Sequence, residues 1–141
     1  SFIAVRNYNY LKELYSDKRF IKLKFLKNNK IIGWSISLCT KLKDHKQFGD
    51  MQLGSVIDCL SLKGHEINII NITSEILKNK NSNLIVSNQS HVFWKNAFKK
   101  NGFIQGPSNF IFATSQKLNA QLKDTETKHL TRGDGDGPIN L

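Results

Sequence analysis

The feature that most restricts the fold is a change of hydrophobic period in the middle of the chain. Between Gln52 and Leu62 the sequence carries a nearly unbroken apolar core, Val56-Ile57-Asp58-Cys59-Leu60. Such a run suits a central strand covered on both faces. After the break Lys63-Gly64, the residues Ile69, Ile70, Thr73, Ile76 and Leu77 recur at spacings of three and four, the mark of a helix face, until the polar run from Lys78 to Ser82. A second short apolar run, Leu84-Ile85-Val86, follows. Strand, helix and strand in that order imply two parallel strands of one sheet, joined by a right-handed crossover.

The flanks supply the rest of a mixed sheet. Tyr8, Leu11, Leu14 and Tyr15 predict a helix within residues 7–19. Ile21, Leu23 and Phe25 alternate with Lys22 and Lys24, as in a half-buried strand. Asn28-Asn29-Lys30 predicts a hairpin turn into a second strand from Ile31 to Thr40, with Trp34, Ile36 and Leu38 on one face and Ser35, Ser37 and Cys39 on the other. Residues 41–50 are polar and are expected to form an exposed loop before the central strand. Downstream, Phe93, Trp94, Ala97 and Phe98 predict a helix from Val92 to Asn101, with Gly102 as its left-handed terminator. Gly106-Pro107 turns the chain toward a last strand over Phe110–Thr114. The expected fold class is α/β: a mixed sheet with helices on its faces. One domain is expected over residues 1–118, followed by a polar, partly mobile tail over 119–141. Ser1 stands where an initiator Met would, so a segment of a longer product, or one trimmed of a tag, is expected.

Composition narrows the function classes. The chain has 141 residues and a net charge of +10. The charge is mostly scattered Lys, and the only arginines are Arg6, Arg19 and Arg132. Sequence-specific DNA readers favour the bidentate fork of Arg, so nucleic acid is not the expected partner. A solvated Lys surface and attraction to a polyanion both remain open. Cys39 and Cys59 lack metal-ligand spacing and read as free thiols of a reducing compartment, hence a cytoplasmic protein. No apolar stretch reaches the length of a membrane span.

This order of elements resembles the core of the GNAT (GCN5-related) N-acyltransferases over about residues 7–118. The local match is Phe93–Phe103, FWKNAFKKNGF, which is similar to that family's helix ending in Gly-Phe. The closing HLTRGDGDG is similar to the tails of acyltransferase-like proteins encoded with bacterial surface-polysaccharide genes. The resemblance implies a GNAT-like fold, with its N-terminal elements outside this sequence. It also implies transfer of an acyl group from acetyl-CoA or another acyl-CoA to a small-molecule amine, an amino sugar being one instance. The strand Ser55–Leu62 would then offer main-chain groups near Leu60 and Leu62 to the pantetheine arm. Ser61, Leu62, Lys63, Gly64 and His65 would form the pyrophosphate turn at a helix amino end, and Trp94 would lie beside the cofactor. Three departures stand out: the phosphate loop has one Gly and carries Glu66, the family's proton-donating Tyr is Phe98, and Trp94 replaces a small residue of the family beside the cofactor, where its ring would narrow the cleft. Tandem-domain relatives raise two other readings, a non-catalytic half-domain packed on a partner GNAT domain and a homodimer. A polyanion-binding module is the third.

Two residues stand out as candidates for proton transfer. Asp58 lies inside an apolar strand, where a carboxylate is costly unless paired. It is either a base or a hydrogen-bonded structural residue. His91 precedes a helix after Asn88-Gln89-Ser90, and is either an acid–base group or a helix-start residue with Ser90 as the cap. His65 is a phosphate contact or an exposed loop residue, while His45 and His129 have no supporting context. Asp134 and Asp136 alternate with Gly but lack the later Glu of a calcium loop, so a flexible turn is expected and no metal.

Overall fold

The computed structural model describes residues 2–107, 113, 115–122 and 128–135. In chain order the elements are β1 (Phe2–Ile3), α1 (Tyr8–Leu14), β2 (Ile21–Lys27), β3 (Lys30–His45), β4 (Gly49–Ser61), α2 (Glu66–Asn79), β5 (Leu84–Ser87), α3 (Val92–Lys100), α4 (Gln116–Leu122) and β6 (Lys128–His129), with a short 3₁₀ turn at Arg132–Asp134. The main sheet has the order β2-β3-β4-β5. Its first two pairings are antiparallel, and β4 pairs with β5 in parallel. The strand–helix–strand reading therefore holds. Of the last strand expected over Phe110–Thr114, only Ala113 is among the described residues.

Local chemistry explains most boundaries. The β2–β3 hairpin turns through Asn28 (φ 50°) and Asn29 (φ 61°), the two left-handed residues that a tight two-residue hairpin needs. Gly102 (φ 83°) ends α3 as expected, with the Phe103 N–H returned to the Phe98 carbonyl at 3.1 Å. The expected exposed loop over 41–50 is corrected by the structure. Lys41–His45 belongs to β3 and Gly49–Met51 to β4, so only Lys46–Phe48 is left as the turn. Exposed Lys41 and Lys43 flank buried Leu42, a period-two pattern that the polar composition of the segment obscured.

The two sheet faces carry separate cores. On one, Phe25, Val56 and Cys59 meet Ile69, Ile70 and Leu77 of α2 and Trp94, Ala97 and Phe98 of α3. On the other, Ile36, Leu38 and Ile57 meet Tyr15 and Phe20, with Leu11, Leu14 and Trp34 at the margin. Gly33 lets α2 close on β3: a Cβ there would overlap Ile69 Cδ1 and stand 2.6 Å from the Leu60 carbonyl oxygen.

Residues 128–135, which the sequence groups with the polar tail, are packed into this body. β6 pairs in parallel with β1, Thr131 bridges Gln89, and Thr131 is fully buried. The reason is local: Ser90 Oγ donates to the Lys128 carbonyl and accepts from the Leu130 N–H, both at 2.7 Å, and the Ser90 N–H donates to the Leu130 carbonyl at 3.0 Å. Among the described residues no helix is long and apolar enough to cross a membrane.

Candidate active site

The parallel ladder covers all of β5 and stops short of the end of β4. β4 and β5 are in register from Leu53/Leu84 to Val56/Ser87 and no further, although β4 continues to Ser61. A bulge in the β3–β4 pair lies just past that point. Asp58 stands opposite Ile36 and Val56 opposite Ser37, so Ile57 is an extra residue on β4. The added residue turns both Ile57 and Asp58 toward the α1 face. At this same end α2 and α3 begin. An opening outside the carboxyl ends of parallel strands, flanked by helix amino ends, is where open α/β sheets take ligands. Two surface depressions, one lined by Lys41, Met51, Asn81 and Asn83 and one by Asn9, Lys12, Glu13 and Ser16, lie elsewhere.

Asp58 is 2% exposed and its carboxylate is fully engaged. Arg6 Nε donates to Oδ2 at 3.0 Å and Nη2 to Oδ1 at 3.2 Å. The Tyr15 hydroxyl donates at 3.2 Å, the Thr131 hydroxyl at 3.1 Å and the Cys59 N–H at 2.9 Å. Arg6 Nη2 also donates to Asp134 Oδ2 at 2.7 Å, and that oxygen accepts from the Thr131 N–H at 2.9 Å. Burial pushes the Asp58 carboxyl up, while Arg6 opposes the shift. Burial beside Asp58 also raises the Tyr15 hydroxyl. Gly133 sits directly on the Tyr15 hydroxyl, where a Cβ would collide with it. Asp58 thus ties β4 to the segment before α1, to Tyr15 after it and to the chain's last described residues.

The turn after β4 is built more tightly than an open phosphate loop. Leu60 and Ser61 still pair with Trp34 and Gly33 of β3. The Leu62 N–H donates to the Ile32 carbonyl at 2.8 Å, and the Leu62 side chain is exposed. Gly64 adopts φ 91°, and its N–H donates to Glu66 Oε2 at 2.8 Å. His65 occupies the N-cap position of α2 without a side-chain capping bond. Lys63 Nζ lies 5.9 Å from the centre of the Phe93 ring, which joins this turn to the start of α3.

At the start of α3 the cap is His91, where Ser90 was the expected one: His91 Nδ1 accepts the Phe93 N–H at 3.2 Å, and Ser90 is committed to the 128–130 segment. Burial lowers the pKa of His91. Its ring lies 5.7 Å from that of His129, and His129 meets the edge of Trp94 at 6.2 Å. Trp94 itself is 3% exposed and belongs to the core cluster that includes Val56 and Cys59. His129 is 4% exposed, and burial, Arg6 and His91 together pull it down to about 4.

Sequence reasoning singled out Asp58, His91 and the turn over 60–65; it did not foresee that Arg6, Tyr15, Thr131 and Asp134 gather around the Asp58 carboxylate or that His129 faces His91. A signal for Arg6 existed, because a carboxylate in an apolar strand needs a cation or several donors and the chain has only three arginines. The C-terminal residues gave no such signal, since their packing depends on a pairing between positions some forty residues apart. Asp136 lies outside the described residues.

No family model matches the sequence, and no curated protein matches it. Solved structures do match. Aminoglycoside N-acetyltransferase AAC(6')-Iy in complex with CoA superposes with a TM-score of 0.56 at 11% identity, over 74% of this chain and 82% of that one. An aminoglycoside acetyltransferase from an uncultured soil metagenomic sample, in complex with trehalose, gives 0.55 at 14% identity over 80% and 78%. A GNAT family acetyltransferase from Staphylococcus aureus subsp. aureus gives 0.55 at 19% over 75% and 73%. With its mixed sheet of order β2-β3-β4-β5 and its parallel β4–β5 pair joined by α2, this chain has the fold of the GNAT acetyltransferases.

Proposed function

We propose that this chain is an N-acyltransferase that moves an acyl group from acetyl-CoA or another acyl-CoA to a small-molecule amine in the cytoplasm. The observation that carries the reading is the end of the β4–β5 ladder at Val56/Ser87, which leaves the last residues of β4 without a β5 partner beside the amino ends of α2 and α3. The likeness to a fold neighbour crystallised with CoA supports it. In this reading the pantetheine arm runs along Asp58–Leu62, where main-chain groups replace water as its partners. Lys63, Gly64 and His65 take the pyrophosphate at the start of α2, and the buried Trp94 backs the thioester. His91, whose Nδ1 is held by the Phe93 N–H, presents Nε2–H as a neutral donor to the thioester oxygen. Asp58, saturated by five donor groups, serves as a positioning residue and not as the base. The narrower acceptor, an amino sugar of surface-polysaccharide synthesis, rests on the likeness of the HLTRGDGDG tail.

One observation favours a second reading, a non-catalytic half-domain packed on a partner. The Glu66 carboxylate already occupies the Gly64 N–H, so a phosphate would have to displace a negative charge. A thermal melt with acetyl-CoA separates the two. At a hundredfold excess over Kd, binding adds about 2.7 kcal/mol. For a domain of this size that raises Tm by roughly 5–10 °C. An unchanged Tm at millimolar acetyl-CoA removes the catalytic reading.

A further inference from the structure

Two polar atoms where the parallel ladder ends have no protein partner although they are buried: His129 Nε2 and Gln89 Oε1. They share one side of the same strand pair. Gln89 stands opposite Thr131 in an antiparallel bridge, which places His91 opposite His129, as their ring separation of 5.7 Å confirms. Residues two apart on a strand share a side. That side also carries Ser87 and Thr131, whose hydroxyls donate to the Val56 carbonyl at 2.8 Å and to Asp58 at 3.1 Å, so it looks onto β4 where the parallel ladder ends. Gln89 Nε2 is spent on Ser87 Oγ at 3.1 Å, which turns Oε1 away from it as a bare acceptor. A buried acceptor without a donor costs on the order of 1–3 kcal/mol. With the His129 proton on Nδ1 both atoms are acceptors, the pattern that a ligand amino group would satisfy.

We propose that His129 is a catalytic residue: its Nε2, together with Gln89 Oε1, receives the acceptor's amino group, and Nε2 takes the proton that the amine loses. The inference rests on the N-acyltransferase reading and assigns its base. The amine nitrogen bonds to the thioester carbonyl carbon, the C–S bond breaks, and the amine proton passes through His129 to the departing thiolate, giving an amide and free thiol. The groups facing the histidine pair agree with a neutral imidazole. Arg6 and His91 oppose a charge on His129, Asp134 favours one weakly, and Glu66 acts on His91. His129 therefore stays unprotonated through the neutral range, with its Nε2 lone pair open to a proton.

The test reads the ring directly. In protein labelled with 15N-histidine, with signals assigned from His129→Gln and His91→Gln variants, His129 is expected to be neutral at pH 7 with the proton on Nδ1. Its Nε2 signal is expected to move when CoA and propylamine are added together. A proton on Nε2, a charged ring at pH 7, or an unmoved signal at saturating CoA overturns the assignment. With acetyl-CoA and a panel of primary amines, His129→Gln is expected to lower turnover by about 10²–10⁴-fold while its melting shift with acetyl-CoA is unchanged; equal turnover overturns the proposal. A wild-type protein that acetyl-CoA does not stabilise sinks the acyltransferase reading and this role with it, whereas a stabilised protein with an unmoved Nε2 signal sinks the role of His129 alone.

Discussion

Replacing Asp58 with Asn separates its two possible roles. The amide keeps the shape of the carboxylate but removes the charge and one acceptor atom. One oxygen can still accept from the Cys59 N–H and the Thr131 hydroxyl, as Oδ1 does now. The NH₂ then faces Arg6 Nε and the Tyr15 hydroxyl, which donate to Oδ2. Tyr15 can turn its proton away, but a guanidinium cannot. Removing one partner of a buried ion pair costs about 3–5 kcal/mol. Arg6 keeps Asp134 at 2.7 Å, which places the loss at the lower end, about 3 kcal/mol. In a domain of this length Tm falls by roughly 2–4 °C per kcal/mol, or about 6–12 °C in all. Urea unfolding and calorimetry measure it. The double variant Arg6→Met with Asp58→Leu should not recover the loss, because Asp134 would lose its cation and the Tyr15 hydroxyl, the Thr131 hydroxyl and the Cys59 N–H their acceptor. If Asp58→Asn melts within about 0.5 kcal/mol of the parent and yet loses turnover, the positioning role is wrong and Asp58 is the base.

Glu66→Gln removes the negative charge beside the Gly64 N–H at the start of α2. A charge there is worth about 0.3–1 kcal/mol, so acetyl-CoA should bind about 2–5-fold more tightly by calorimetric titration; weaker binding would place the pyrophosphate elsewhere. Trp94→Ala empties a buried site between α3 and β4 and should cost about 3–5 kcal/mol in urea unfolding, whereas a loss under about 1 kcal/mol would show the indole to be loosely held. The pKa of His129 lies near 4 when folded against an ordinary 6.5, so between those values the unfolded chain binds more protons. Stability should therefore fall as pH drops from about 6.5 toward 4, and His129→Gln should flatten that part of the urea-midpoint profile. A profile in which parent and variant run parallel would show that His129 titrates normally.

Much of the fold was legible because it is written in local periods. The apolar run of β4, the 3.6-residue period of α2 and the short run of β5 specify a parallel pair with a crossover before any coordinate is known. Asn28-Asn29 and Gly102 mark their turns because only those backbone conformations suit them. The extension of β3 and β4 through Lys41–Leu42 and Gly49–Met51 was hidden, since a hairpin that projects beyond the body buries little and reads as loop by composition. Asp58 was conspicuous in the sequence, but its chemistry was not. Its state depends on Arg6, Tyr15, Thr131 and Asp134, which lie 52, 43, 73 and 76 positions away and meet it only because the bulge at Ile57 turns it toward α1. The sequence by itself determined the strands and helices from α1 to α3, apart from that extension, because the choice rests on neighbours two to four residues apart. Tertiary structure alone decided which end of the sheet opens, which carboxylate is neutralised and which histidine is left with a bare nitrogen, because burial and pairing depend on contacts between segments far apart in the chain.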